Sequence, residues 1–129
     1  MQSTLAPSYA LSFAASTIVT TETSNTLADG MATRIPDADA LAIIRKGASR
    51  IVQVTDAEIA AAIRAYWTDT HNLAEGAGAA ALAAALQEVA KNRGKRVGLI
   101  LSGGNIDFDL FRSWVGMDVA VDTERRVAV

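Results

Sequence analysis

The segment from Lys95 to Leu101, which ends in the apolar run Leu99-Ile100-Leu101 and stops abruptly at Ser102-Gly103-Gly104, constrains the fold of this chain more than any other feature. A short, continuous apolar run bounded by turn residues predicts a strand that is buried on both faces, as strands of parallel sheets are. Ligands of open parallel sheets bind outside the carboxyl ends of the strands. The Ser-Gly-Gly sequence therefore either contacts a ligand or simply turns the chain into the next helix, and its composition favours neither.

Helical and β-type segments alternate along the rest of the chain. Further strands are predicted at 51–54 and at 17–21, the latter because it is β-branched throughout. Helices are predicted at 6–15, from Pro36 to Gly47, after the capping-box pattern Thr55-Asp-Ala-Glu58, from Glu75 to Gly94 and at 107–115. The alternation predicts an α/β fold: a three-layer partial domain with a mostly parallel sheet flanked by helices.

Apolar spacing also predicts which helix faces are buried. The predicted positions are Ala40, Ile43, Ile44 and Gly47 in the second helix, Ile59, Ile63, Tyr66 and Trp67 in the third, and Leu82, Leu86 and Val89 in the fourth. At the C-terminus, the two Val-Ala-Val segments 119–121 and 127–129 flank a polar stretch and form a candidate β-hairpin, which could cover an open sheet edge.

Composition narrows the classes of partner. With 129 residues the chain fits one domain, and it contains no cysteine, which excludes disulfides, thiolate metal sites and cysteine nucleophiles. The net charge of −2 and the scattered basic residues argue against nucleic acid or an anionic membrane as an obligatory partner. The chain shows neither a secretory signal pattern nor an apolar run of the roughly 18 residues that a membrane span needs, so we expect a cytoplasmic protein.

Three further features have both a structural and a functional interpretation. The spacing Gly76-x-Gly78-x-x-Ala81 matches a relaxed dinucleotide fingerprint, but it lacks a strand before it, and close helix packing is favoured. His71 is the only histidine, and without a nucleophile or further ligands it is better interpreted as a helix-end residue. Glu75 suits a helix N-terminus through the dipole, and it could also point into a ligand pocket.

Four segments, taken together, change the balance between the structural and the functional interpretations. They are Thr26-Leu-Ala-Asp-Gly30, Val52-Gln-Val-Thr-Asp-Ala-Glu-Ile59, Glu75-Gly-Ala-Gly-Ala-Ala80 and Leu99-Ile-Leu-Ser-Gly-Gly-Asn-Ile-Asp107. In this order they closely resemble the C-terminal part of the catalytic domain of the threonine dehydratase and serine racemase family. These are pyridoxal-phosphate enzymes of the tryptophan-synthase β-like fold, fold type II. We assign residues 1–115 to that portion and leave 116–129 as a tail without assignment.

The resemblance implies a role for five residues. Ser102 matches the serine whose hydroxyl hydrogen-bonds the pyridine nitrogen of the cofactor. Gly103 and Gly104 match the loop beside the ring, Glu75 matches a carboxylate near the cofactor pocket, and Gly30 matches the loop that lines the active site. A neutral hydroxyl does not hold the ring nitrogen protonated as a carboxylate would, so the ring is a weaker electron sink, which suits β-elimination. No metal site is implied within this chain.

Departures from the family pattern are equally informative. The lysine that forms the Schiff base, and the Gly-rich loop that grips the phosphate, lie early in family members and have no counterpart here. The lysines present are Lys46, Lys91 and Lys95, and none follows the expected Ser-x-Lys pattern. We therefore expect no catalytic residue, no cofactor binding and no activity in this chain alone. It would be a piece of a dehydratase, a free-standing binding or assembly module, or one subunit of a split lyase.

A partial domain of this kind also predicts self-association. A half-domain exposes apolar surface that the missing half would cover, and large exposed apolar patches mark association sites. The expected state is a homodimer or higher oligomer, with exchanged elements or with a sheet that continues across the two-fold axis. An amino-acid substrate is expected only for the full enzyme.

Overall fold

The computed structural model describes residues 1–116. Strands β1 (Gln2–Ser3) and β2 (Gln53–Val54) pair in parallel, with Gln2 opposite Gln53 and Ser3 opposite Val54. The helices are α1 (Ser8–Ala15), α2 (Ala38–Gly47), α3 (Asp56–Thr70), α4 (Gly76–Gln87), α5 (Val89–Asn92) and α6 (Phe108–Val115), with a 3₁₀ turn at Asp29–Met31. Helices α1 and α2 form the crossover between the paired strands. The predicted α/β class with a parallel sheet is confirmed, although the described part is rich in helix and its sheet is small.

Local sequence signals determine where three helices begin. The Asp37 carboxylate caps α2 by accepting from the amide of Ala40 at 2.8 Å. Thr55 and Glu58 form the predicted capping box at the start of α3, in which each side chain accepts from the other residue's amide. The Asp107 carboxylate caps α6 by accepting from the amides of Asp109 and Leu110, at 2.9 and 3.1 Å. These carboxylates and hydroxyls satisfy amides that have no partner inside the helix, which is why the starts could be predicted.

Helix α3 packs across α4 and α6 and forms the centre of the core. Its predicted face is confirmed, because Ile59 and Ile63 are fully buried and Tyr66 and Trp67 pack against the buried cluster. The Trp67 ring meets Phe111 of α6 edge to face, with centroids 5.4 Å apart. Edge-to-face pairs add to the stabilisation that burial of the two rings already provides.

Both of the remaining helix-face predictions need correction. Helix α2 buries Leu41, whereas Ile43 is 71% exposed. Helix α4 ends earlier than predicted, at Gln87, and it leaves Leu86 and Val89 exposed. Its buried residues are instead small: Gly76, Gly78, Ala79, Ala80, Ala81, Ala83 and Ala84. The backbone of α4 lies so close to its neighbours that large side chains fit only on its outer side.

Two predicted strands are not formed. In residues 17–21, the Val19 amide and carbonyl bond the Ser12 hydroxyl, at 2.8 and 3.2 Å, instead of a neighbouring strand. Residues 95–101 form neither helix nor strand; no strand within residues 1–116 pairs with them, and 95–100 are exposed rather than buried on both faces. A central strand exists only when neighbours accept and donate its hydrogen bonds. Only Leu101, at the end of the run, packs against the core.

The candidate hairpin at 119–121 and 127–129 lies outside the described residues. Within residues 1–116, no helix has both the length and the apolar character that a membrane crossing requires. The fold that positions the candidate site therefore consists of α3, α4 and α6 and of the loops that reach them.

Candidate functional site

The Ser-Gly-Gly loop docks directly on the start of α4. The Glu75 amide donates to the Gly103 carbonyl oxygen at 3.1 Å. A Cβ on Gly78 would overlap that same oxygen, and a Cβ on Gly104 would lie 2.6 Å from the carbonyl oxygen of Leu73. Neither glycine can be replaced without movement of the backbone it touches. The small residues of α4 thus serve close packing, as the sequence favoured, and no strand precedes them as a dinucleotide fingerprint requires.

Glu75 links this loop to the segment 26–30, which we call the 26–30 loop. A Cβ on Gly103 would overlap the Glu75 carboxylate, and a Cβ on Gly30 would lie 2.9 Å from the Ala77 Cβ and 4.0 Å from Glu75 Oε1. The Glu75 side chain makes no capping hydrogen bond to α4, although it stands at the N-cap position. The helix-dipole interpretation therefore does not account for where its carboxylate points.

A cleft of about 290 Å³ opens beside Glu75. It is lined by Thr26, Leu27, Asp29, Glu75, Gly76, Asn105, Ile106, Asp107 and Leu110. The lining carries three carboxylates and no cationic side chain. The sequence did not predict four of these lining residues as site residues: Thr26, Asp29, Asn105 and Asp107. Their one sequence signal was membership of the segments that carry the family resemblance.

The structure brings some of the five predicted residues together and leaves others apart. Glu75 meets both Gly103 and Gly30, and Gly104 adjoins Gly103. Ser102 is exposed and is not part of the cleft wall, and Gly30 faces a second cavity of about 460 Å³, which Tyr9 and Arg50 also line. Of the five residues, only Glu75 lines the 290 Å³ cleft.

None of the lysines reaches the cleft. Lys46 lies on α2, Lys91 lies on α5 with its Nζ 3.0 Å from Glu88, and Lys95 is exposed in the segment before the Ser-Gly-Gly loop. His71 ends α3 in a left-handed conformation (φ 57°) and is exposed, in agreement with its interpretation as a helix-end residue. Within residues 1–116, no three acidic, histidine or cysteine side chains are grouped as a metal site requires.

Pyridoxal phosphate, the cofactor that the resemblance implies, can be tested against this geometry. Gly103 and Gly104 allow their loop to pack directly against Glu75 and Leu73, and Ser102 on the same loop is exposed. The described residues therefore fit contacts to the edge of the ring. They do not fit its covalent attachment, because no lysine lies near these groups.

Comparison with known proteins supports the resemblance to pyridoxal-phosphate enzymes. The family model described as "Pyridoxal-phosphate dependent enzyme" matches residues 1–103. L-threonine ammonia-lyase of Geobacter sulfurreducens is 39% identical over 83% of this chain, and L-threo-3-hydroxyaspartate ammonia-lyase of a Pseudomonas species is 34% identical over 79% of it. The structure of maize serine racemase superposes on 90% of this chain with a TM-score of 0.77 and 29% identity.

The chain spans only part of each of these proteins. It covers 27% of the Geobacter enzyme, 32% of the Pseudomonas enzyme and 36% of the maize racemase chain. Over the region that is shared, both the sequence and the fold match, and the four segments that carry the resemblance all fall within or beside the matched residues. This chain belongs to the family of pyridoxal-phosphate-dependent enzymes, in the branch that is homologous to threonine ammonia-lyase and serine racemase.

Proposed function

We propose that this chain supplies the ring-contact side of the active site of a pyridoxal-phosphate-dependent ammonia-lyase that acts on β-hydroxy amino acids such as threonine or serine. The observation that carries the proposal is the packing of the Gly103 backbone against Glu75, which brings the loop that carries Ser102 against the start of α4 at a junction beside the cleft. Two of the relatives, the L-threonine and L-threo-3-hydroxyaspartate ammonia-lyases, are named for β-hydroxy amino acids, which supports this reaction class.

Each residue of the junction has a distinct task in this proposal. When bound, pyridoxal phosphate withdraws electrons from the substrate, so that the α-proton and the β-hydroxyl can leave. Ser102 would present a neutral hydroxyl toward the ring nitrogen, and Gly103 and Gly104 would position that serine by letting its loop pack closely against Glu75 and Leu73. Glu75, whose amide is tied to Gly103, holds a carboxylate at the edge of the cleft.

We propose further that the chain alone does not dehydrate threonine or serine. Covalent catalysis on this cofactor needs an amine, and the three lysines lie away from the junction. The lysine and the phosphate loop would come from another part of a longer enzyme or from a partner subunit. The alternative is a binding or assembly role that does not involve the cofactor. Binding of the cofactor ring by the chain, even if weak, would argue against that alternative.

The test uses pyridoxine 5′-phosphate, which has the ring and the phosphate but no aldehyde and so cannot react with surface lysines. Trp114 reports binding, because its ring lies 3.3 Å from where a Cβ on Gly76 would stand. The sequence predicts that this chain alone does not bind the cofactor; we propose instead that the ring of this analogue binds weakly and reversibly. We expect saturable quenching of tryptophan fluorescence in the wild type and roughly fivefold weaker binding in Ser102→Ala, the loss that one hydrogen bond of about 1 kcal/mol produces. Ser49→Ala, at an exposed serine outside the site, is the control.

Two results would contradict the proposal. Absence of saturable quenching in the wild type would remove the ring-contact role. Release of ammonia and a 2-oxo acid from threonine, when pyridoxal phosphate is added to the chain alone, would contradict the absence of catalysis.

We also propose that the exposed segment 95–100 pairs with the same segment of a second copy. Its backbone has no strand partner within residues 1–116, and Ile100 is 79% exposed. An extended apolar edge is a template for strand pairing, and a second copy offers the same edge. Light scattering at micromolar concentration should show a dimer that Ile100→Glu converts to monomer, whereas Ile43→Glu, at an equally exposed helix position, should not. A monomeric wild type would overturn this proposal.

A further inference from the structure

Asp56 makes hydrogen bonds that the proposed function does not use. It is the first residue of α3, yet its carboxylate serves the 26–30 loop rather than its own helix. Oδ1 accepts from the Thr26 hydroxyl at 2.6 Å and Oδ2 accepts from the Leu27 amide at 2.8 Å. The Ser3 hydroxyl of β1 adds a longer contact to Oδ1 at 3.4 Å. One carboxylate thus joins a strand, a loop and a helix.

These bonds define the position of the loop on the side away from α4. The Thr26 hydroxyl oxygen also accepts from the Ala28 amide at 3.1 Å, so the geometry set by Asp56 extends one step further along the loop. Ala28 is fully buried against α4, where a Cβ on Gly76 would lie 2.8 Å from the Ala28 Cα. The loop is therefore held between Asp56 on one side and the first turn of α4 on the other.

The held loop forms one wall of the cleft. Thr26, Leu27 and Asp29 line it together with Asn105, Asp107 and Glu75. A shift of the loop would change the shape of the cleft and the packing of Gly30 against Ala77. Hydrogen bonds to a charged acceptor are the stronger ones, so Asp56 is the dominant restraint on this wall.

We infer that Asp56 is a positioning residue, which sets the wall of the cleft through Thr26 and Leu27 without touching a ligand itself. What the cleft binds rests on the proposed function, whereas the restraint on the loop does not. The same helical turn contains the matched control. Glu58 belongs to the capping box of α3, also accepts from the Gln87 side chain at the C-terminal end of α4 at 2.9 Å, and makes no hydrogen bond to the 26–30 loop. Its removal therefore weakens the start of α3 and one contact to the far end of α4, and leaves the hydrogen bonds of the loop in place.

The first experiment measures amide hydrogen exchange in the full chain. Asp56→Ala should speed exchange of the Leu27 and Ala28 amides roughly tenfold to a hundredfold, the loss expected for hydrogen bonds to a charged group. Glu58→Ala should leave these amides unchanged and speed exchange in the first turn of α3. Thr26→Val, which keeps the side-chain shape, should speed exchange of the Leu27 amide more weakly than Asp56→Ala does, and the double variant should add little there. The comparison rests on Leu27, because Thr26→Val also removes the acceptor of the Ala28 amide directly.

The inference is overturned if exchange of Leu27 and Ala28 is unchanged in both Asp56→Ala and Thr26→Val, or if both variants accelerate exchange equally throughout the chain. Should Asp56→Ala not fold, Thr26→Val decides, because it removes one of the two bonds and leaves α3 intact.

The second experiment titrates pyridoxine 5′-phosphate into the same variants. Asp56→Ala should weaken binding at least fivefold, whereas Glu58→Ala should not weaken it, even though both changes affect the start of α3. Equal weakening in the two variants would show a merely structural role for Asp56. If the wild type itself binds no ligand, the proposed function fails, and the hydrogen-exchange result still decides whether Asp56 positions the loop.

Discussion

The Ser-Gly-Gly loop and the segment just before it are neighbours in sequence and opposites in packing. At Gly103, an added Cβ would overlap the Glu75 carboxylate, whereas at Gly98 it would meet nothing within 4 Å. Leu101 packs against the core, and Ile100, one residue earlier, is 79% exposed. Leu101 and Ile100 are both large apolar residues, so side-chain character does not explain the difference in burial. The difference arises because α4 covers the loop, while no described element covers the segment.

The largest expected effect comes from truncating a core side chain on the packed side. Ile63→Ala should lower the free energy of unfolding by about 2–5 kcal/mol, because Ile63 is fully buried and a cavity would remain. Ile100→Ala should change it by less than about 0.5 kcal/mol in dilute protein, where the segment stays exposed. Urea denaturation measures both values. Similar losses in the two variants would show that the segment is covered in the free chain.

Adding one methyl group sharpens the same contrast. Gly78→Ala should destabilise the chain by about 1–3 kcal/mol, because the new Cβ overlaps the Gly103 carbonyl oxygen and this outweighs the helix-propensity gain of about 1 kcal/mol. Gly47→Ala, in a helix position where a Cβ meets nothing within 4 Å, should stabilise it by up to about 1 kcal/mol. The two variants should shift the urea midpoint in opposite directions. Stabilisation by Gly78→Ala would contradict the close approach of α4 to the Gly103 carbonyl oxygen.

The smallest expected effect is on the free energy of unfolding at low pH. The Thr55 amide donates to Glu58 and lowers the pKa of that carboxyl below 4.5. A lowered folded-state pKa contributes stability above the unfolded value, and this contribution is lost as the pH falls through the folded-state pKa. Glu58→Gln should therefore flatten the decline of unfolding free energy below about pH 4.5. Glu88, whose pKa is lowered by hydrogen bonds from Arg50 and Lys91, offers the comparison.

High salt should distinguish the contributions of Glu58 and Glu88 to the acid dependence of stability. The pairing of Glu88 with two exposed cations is screened, so added salt should reduce its share of the acid dependence, whereas the amide bond to Glu58 should persist. An acid transition that is unchanged by Glu58→Gln, as followed by fluorescence at several pH values, would contradict a stabilising role for the capping box.

Sequence patterns predicted the features that depend on neighbouring residues. Asp37, the Thr55–Glu58 box and Asp107 marked helix starts correctly, because each cap forms within three residues of itself. The buried face of α3 was also predicted, since its large apolar residues follow one helical stripe. In α4 the same reasoning failed, because the stripe of Leu82, Leu86 and Val89 is less buried than the glycines and alanines.

The candidate site divides in the same way. Glu75, Gly103 and Gly30 were singled out from the sequence through resemblance, and the structure places them against one another. Asp56 was visible only as part of a capping-box segment, because its partners Thr26 and Leu27 lie about thirty residues away along the chain. No local pattern marks a hydrogen bond of that range.

The sequence by itself determined the α/β class, the helix starts and the family, because these depend on local hydrogen bonds and on motifs that can be read in order. Only the tertiary structure decided which faces of α2 and α4 are buried, that the 95–101 run has no strand partner within residues 1–116, and that Asp56 hydrogen-bonds the 26–30 loop. Burial and strand pairing are properties of two surfaces in contact, and a single segment of sequence contains only one of them.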